Sequence, residues 1–163
     1  MDHAHHRHHP AHSAHGHSAA SLNHTALLAT LHCLSGCAIG EVAGLLIGTA
    51  LGWTNEATIA LAVALAFLSG FALTALPFLR RGYPVASALR IALAADAASI
   101  TIMEIVDNAV MLFIPGAMNA AIDSLQFWAS MALSLALAGV AAYPLNRWLI
   151  ARGKGHALAH ARH

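Results

Sequence analysis

Four apolar stretches, near residues 26–52, 57–79, 86–114 and 125–149, fill most of this 163-residue chain. Each is long enough to cross a bilayer as a helix, since about 30 Å of hydrocarbon takes roughly 20 helical residues. The second stretch runs from Ile59 to Leu79 without a charge. The fourth is framed by Trp128 and Trp148, which at about 1.5 Å per residue stand roughly 30 Å apart, the separation of two interfacial aromatic belts. Only 9% of residues are charged and 58% are hydrophobic, against the roughly 25% charged residues of soluble domains. The chain is therefore expected to be all-α, an integral membrane four-helix bundle spanning residues 25–152, and a soluble enzyme is excluded. Its connections are short: Trp53-Thr54-Asn55-Glu56, then Arg80-Arg81-Gly82-Tyr83-Pro84, then a third opened by Pro115-Gly116.

Residues 1–24 hold nine of the thirteen histidines and no apolar side chain larger than Met1 and Leu22. Such a segment cannot bury a core, lacks the cationic and apolar regions of a secretory signal, and reads as a disordered His-rich tail. Residues 153–163 form a short basic and histidine-containing C-terminal tail. All eight Lys and Arg lie in the N-terminal tail, in or just after the second connection, or from Arg147 onward. The positive-inside rule then puts both termini and the Arg80-Arg81 turn in the cytoplasm. A net charge of +1 with no long basic cluster leaves no footprint for nucleic acid. Cys33 and Cys37 share one apolar run and read as reduced thiols.

The acids are the informative residues. Of seven Asp and Glu, four fall inside the expected spans: Glu41, Asp96, Glu104 and Asp107. An ionised carboxylate in hydrocarbon costs on the order of 3 kcal/mol even on insertion scales, and such groups face a bundle interior or a cavity. No span holds a Lys or Arg deeper than Arg90, so the carboxylates must be protonated, hydrated or bound to a cation. At about 100° per residue, Cys33, Cys37, Glu41 and the glycines share one arc of the first helix. On the third, Asp96, Met103, Glu104, Asp107 and Met111 share another. Gly36, Gly40, Gly44, Gly48 and Gly52 recur every fourth residue, a spacing that lets membrane helices pack closely. That seam is expected to join the first helix to the third.

Thiolate and thioether select Cu(I), whereas imidazole and carboxylate suit Zn, Ni, Co or Mn. The expected metal set is Cys33, Cys37, Glu41, Asp96, Met103, Glu104 and Asp107, with His32 at its edge. His3, His5, His6, His8, His9, His12, His15 and His17 of the tail would capture a cytoplasmic metal ion. The function expected is binding or transport of a transition-metal ion such as Cu, Zn or Ni. Two other classes stay open: a proton-coupled or ion-conducting small transporter whose thiols merely pack, and a non-transporting accessory subunit that docks a partner membrane protein. Four spans enclose little, so a transporter of this size is expected to be a homo-oligomer. No nucleotide loop, hydrolase elbow or metalloprotease helix is present, and a lone membrane-level imidazole argues against haem.

The segments HCLSGCAIGEVAGLLIG (His32 to Gly48), SITIMEIVDNAVMLFIPGAM (Ser99 to Met118) and FWASMALSLALAGVAAYPLNRWLIARGKGHA (Phe127 to Ala157) resemble the bacterial membrane family known as domain of unknown function 4396. The resemblance implies a small four-span protein of a bacterial inner membrane, with no assigned activity. The histidine tail lies outside the matched segments.

Overall fold

The computed structural model describes residues 14–152, and the side chains from residue 20 onward. Four long helices account for nearly all of it: α1 Ala14–Ala50, α2 Asn55–Arg80, α3 Val85–Phe113 and α4 Leu125–Ala151, with a 3-10 turn at Ala117–Asn119. No strand is present among the described residues. The four-helix bundle expected from the sequence is the fold observed.

Local chemistry sets the ends. Thr54 and Ser124 cap α2 and α4 by accepting hydrogen bonds from the backbone N–H of Ala57 at 3.4 Å and Phe127 at 3.2 Å, as N-cap hydroxyls do. α1 and α2 end alike. Trp53 N–H donates to the Gly48 carbonyl at 2.9 Å and Gly52 N–H to Thr49 at 3.1 Å; Tyr83 donates to Phe78 at 3.1 Å and Gly82 to Leu79 at 3.0 Å. These are two Schellman motifs, and each needs a left-handed residue, supplied by Gly52 at φ 65° and Gly82 at φ 83°. Gly52 therefore turns the chain and takes no part in helix packing; an added Cβ there would meet nothing within 4 Å. At its other end α1 starts earlier than expected, inside the segment read as tail. Residues 14–24 are helical because a stretch free of proline extends an existing helix without the cost of a new nucleus.

Three helical segments, Ala20–Ala50 within α1, α2 and α4, are long and apolar enough to cross a membrane. α3 is as long, at 29 residues, and carries Arg90, Asp96, Glu104 and Asp107; its three acids are buried. Outward positions such as Leu46, Leu68, Ile105, Leu133 and Val140 are exposed and apolar, as a lipid-facing surface requires.

Each helix packs most extensively on its chain neighbours, with α4 closing back on α1, so α1 and α3 face each other across the diagonal of the bundle. This corrects the expected partner of the glycine seam, which is α2. A Cβ added to Gly36 would stand 2.6 Å from Gly70 Cα, and one on Gly44 would stand 2.6 Å from Ala62 N. Gly40 lies against the backbone of Leu65 and Ala66, and Gly48 against the Thr58 side chain. The ladder continues in register to His32, whose Nε2 is 3.2 Å from Thr74 Oγ1. The Ser69 hydroxyl crosses the same interface and donates to the Gly36 carbonyl at 2.5 Å. The physical reason is that α2 carries its own stripe of small buried residues every fourth position, Thr58, Ala62, Ala66, Gly70 and Thr74. Two small-residue faces let backbones meet.

Candidate functional site: a carboxylate chamber

With the glycines committed to α2, the adjoining positions of α1 are turned across the diagonal toward α3. Cys33 Sγ donates to Asp96 Oδ1 at 3.7 Å, so these two lie at one depth, as the helical arithmetic expects. One turn on, Cys37 is fully buried and packs in the core with Ile100, Met103 and Ala138. Further along, Glu41, Glu104 and Asp107 are 5%, 5% and 6% exposed. All three line one cavity of about 50 Å³, walled also by Asn108 and Met111 of α3, Met118 of the 3-10 turn, and Met131 and Ser134 of α4.

Hydrogen bonding leaves these carboxylates poorly served. Oε1 of Glu41, both oxygens of Glu104 and Oδ1 of Asp107 have no hydrogen-bond partner in the protein. Asn108 Nδ2 donates to the Glu104 backbone carbonyl at 2.9 Å and not to a carboxylate, while Ser134 Oγ, which donates to the Met131 carbonyl at 3.0 Å, also lies beside Asp107. No Lys, Arg or His lines the cavity. The three acids are close enough for their charges to interact. Like charges within several ångströms repel by about 4 kcal/mol per pair at an effective dielectric of 20, so three uncompensated carboxylates cannot stand together here. Protons or a cation must balance them. A buried water needs about 10–15 Å³, so the chamber has room for roughly three to five water-sized groups, enough for a small ion and part of its hydration shell.

A larger cavity of about 320 Å³ shares Leu45, Ile59, Met111 and Met118 with the chamber and extends among the α1–α2 and α3–α4 connections. Its wall includes Trp53, Asn55 and Thr58, and Asn55 Nδ2 donates to Asn119 Oδ1 at 3.4 Å, tying the two connections together. The chamber therefore has a vestibule at one end of the bundle. In the other direction the core closes over it, with Ile100 and Met103 at 0% and 1% exposure.

The expected ligands thus divide by depth. Cys33 and Asp96 form one level; Glu41, Glu104 and Asp107 form another, joined by Met111; Cys37 and Met103 fill the core between. Eight residues separate Cys33 from Glu41, about 12 Å along a helix, so no single ion could touch both. Among the described residues, no three His, Cys, Asp and Glu side chains are grouped so as to hold one metal ion. His32 is half-buried on the α2 side, beside Thr74. His3, His5, His6, His8, His9 and His12 lie outside the described residues, and His15 and His17 fall on the first turns of α1. Asn108, Met118, Met131 and Ser134 were not expected at the site. For α4 a signal existed: Ser130, Ser134, Ala138, Ala142 and Asn146 recur every fourth residue and all are buried, marking the face that closes the chamber.

The model of the family described as Domain of unknown function (DUF4396) matches residues 22–155, from within α1 to just beyond α4. The chain belongs to this family. Neither a curated protein nor a solved structure matches it. DUF4396 carries no activity in its description, so the functional reading rests on the chamber.

Proposed function

We propose that this DUF4396 protein handles cations within the bilayer, with Glu41, Glu104 and Asp107 exchanging protons for a cation that passes through the vestibule. The observation carrying this reading is the meeting, in one cavity, of three carboxylates that are more than nine-tenths buried, bear unpartnered oxygens and have no basic neighbour. The cation proposed is a transition-metal ion, and the His-rich segment gathers it on the cytoplasmic side, where the placement of Lys and Arg puts both termini. The vestibule then opens on the opposite, non-cytoplasmic face of the inner membrane. A path through so small a bundle is completed by a second copy of the chain or by a partner membrane protein.

A second reading, in which protons alone are cycled, is favoured by the lack of three grouped His, Cys, Asp and Glu side chains among the described residues. Proteoliposomes holding a pH-sensitive dye test both readings. Metal added outside is expected to move protons in the wild type and not in Glu41→Gln. Proton movement under an imposed potential without metal selects the second reading. Wild-type traces equal to those of protein-free vesicles overturn both.

A further inference from the structure

Three of the five methionines, Met111, Met118 and Met131, line the carboxylate chamber, each from a different element: α3, the 3-10 turn and α4. Methionine is a ready gap-filler, yet a gap-filler needs no carboxylate beside it. Here the thioethers line the cavity where, among the described residues, the unpartnered oxygens of Glu41, Glu104 and Asp107 gather. Thioether and carboxylate thus line the same cavity of about 50 Å³. We infer that the chamber is a binding site for a soft monovalent cation, Cu(I) or Ag(I), ligated by the thioethers of Met111, Met118 and Met131 and charge-balanced by Glu41, Glu104 and Asp107. This inference rests on the cation-handling reading and names its substrate class.

The chemistry is selective on three counts. Thioether sulfur is a soft, neutral donor that prefers Cu(I) to Zn or Mg. Three neutral sulfurs leave the ion's single positive charge to be met by one carboxylate, so entry of one ion releases about one proton from the acid cluster and the remaining protons stay shared among the other acids. No electron is transferred, because the ion arrives and leaves as a monovalent cation. Met111 and Met118 line both the chamber and the vestibule, which makes them the first sulfurs an ion reaches on entering. The proposed ligand set leaves out the thiols: Cys33 is paired with Asp96 at the other level, and Cys37, although beside Glu104, does not line the chamber wall.

Ag(I), which is redox-inert, is the probe, titrated into the full-length protein at pH 5. Histidine, with an ordinary pKa of about 6.5, is then protonated and a poor ligand, whereas thioethers do not titrate. About one Ag(I) per chain is expected, weakened at least tenfold by Met111→Leu with Met118→Leu and Met131→Leu, and retained in Cys33→Ser with Cys37→Ser. X-ray absorption of the silver-loaded wild type and thiol-free variant guards against a misfolded methionine variant: sulfur neighbours are expected in both. Oxygen and nitrogen neighbours alone, binding unchanged in the methionine variant, or binding lost with the thiols would each overturn the inference. If it fails while Glu41→Gln still abolishes metal-driven proton movement in vesicles, the cation-handling reading stands with a harder ion.

Discussion

Replacing Gly40 by alanine probes the contact on which the bundle depends. Its new methyl group would land on the backbone of Leu65 and Ala66, atoms with no torsion that could carry them away. Normal carbon contacts lie at about 3.5–4.0 Å, so α1 and α2 must part by roughly 1–1.5 Å to accept it. A gap of that order forfeits about a quarter to a half of the dispersion energy of each contact it opens, and adding bulk to packed cores typically costs about 1–3 kcal/mol. Backbone meeting backbone puts Gly40→Ala near the upper end, about 3 kcal/mol. Two comparisons calibrate it. At Gly70 the added carbon meets chiefly the side-chain end of Ile100, with Cδ1 at 2.6 Å, and a rotamer change limits the cost to about 1 kcal/mol. At Gly52 there is no neighbour within 4 Å, and the left-handed backbone costs an L-residue about 1–2 kcal/mol. Thermal unfolding in detergent, followed with a thiol-reactive dye, is the assay, because Cys33 and Cys37 are free and buried and react once α1 separates. Gly40→Ala should melt well below Gly70→Ala. If it melts with the wild type, the α1–α2 contact is not the close approach described here.

Other outcomes follow from the same geometry. Asn146 Nδ2 donates to Thr30 Oγ1 at 2.9 Å between α4 and α1, both residues being buried; Asn146→Ala should lower stability by about 1–3 kcal/mol in the same melt, and no change would make the bond dispensable. Replacing His3, His5, His6, His8, His9 and His12 by alanine should reduce Zn binding at pH 7.5 in equilibrium dialysis, and wild-type capacity should fall as pH drops through about 6.5, where imidazole takes up its proton; equal binding by the two proteins would remove the tail from metal capture. Reporter fusions should place both ends in the cytoplasm and the Glu56 and Asp123 loops outside, and an external C-terminus would reverse the direction assigned to the vestibule.

The helices were legible because hydrophobic length and punctuation agree. Trp53-Thr54-Asn55-Glu56 and Arg80 to Pro84 interrupt apolar runs with caps and left-handed glycines, and the helices break there. Burial of Cys33, Cys37 and Glu41 on α1, and of Asp96, Met103, Glu104 and Asp107 on α3, was legible too, since a charge in an apolar helix marks its inward face. What a helical wheel gives is a direction, and it leaves the neighbour unnamed. The glycines and Glu41 occupy adjoining arcs of α1 that meet different helices, and the partner of the seam is set by the small-residue stripe of α2 that complements it. Met118 and Met131 were invisible for another reason. Nothing local distinguishes a packing methionine from one lining a cavity, and their convergence exists only once α3, the 3-10 turn and α4 close around Glu41.

The central claim is that Glu41, Glu104 and Asp107 act as one cation-exchanging unit, and a double-mutant cycle on metal-driven proton movement in proteoliposomes tests it most directly. Residues that work as a unit are strongly non-additive. Glu41→Gln and Asp107→Asn should each reduce the initial rate at least tenfold, and the double variant should be no slower than the worse single one. Rate losses that multiply, or a Glu41→Gln protein as active as the wild type, would contradict a shared site.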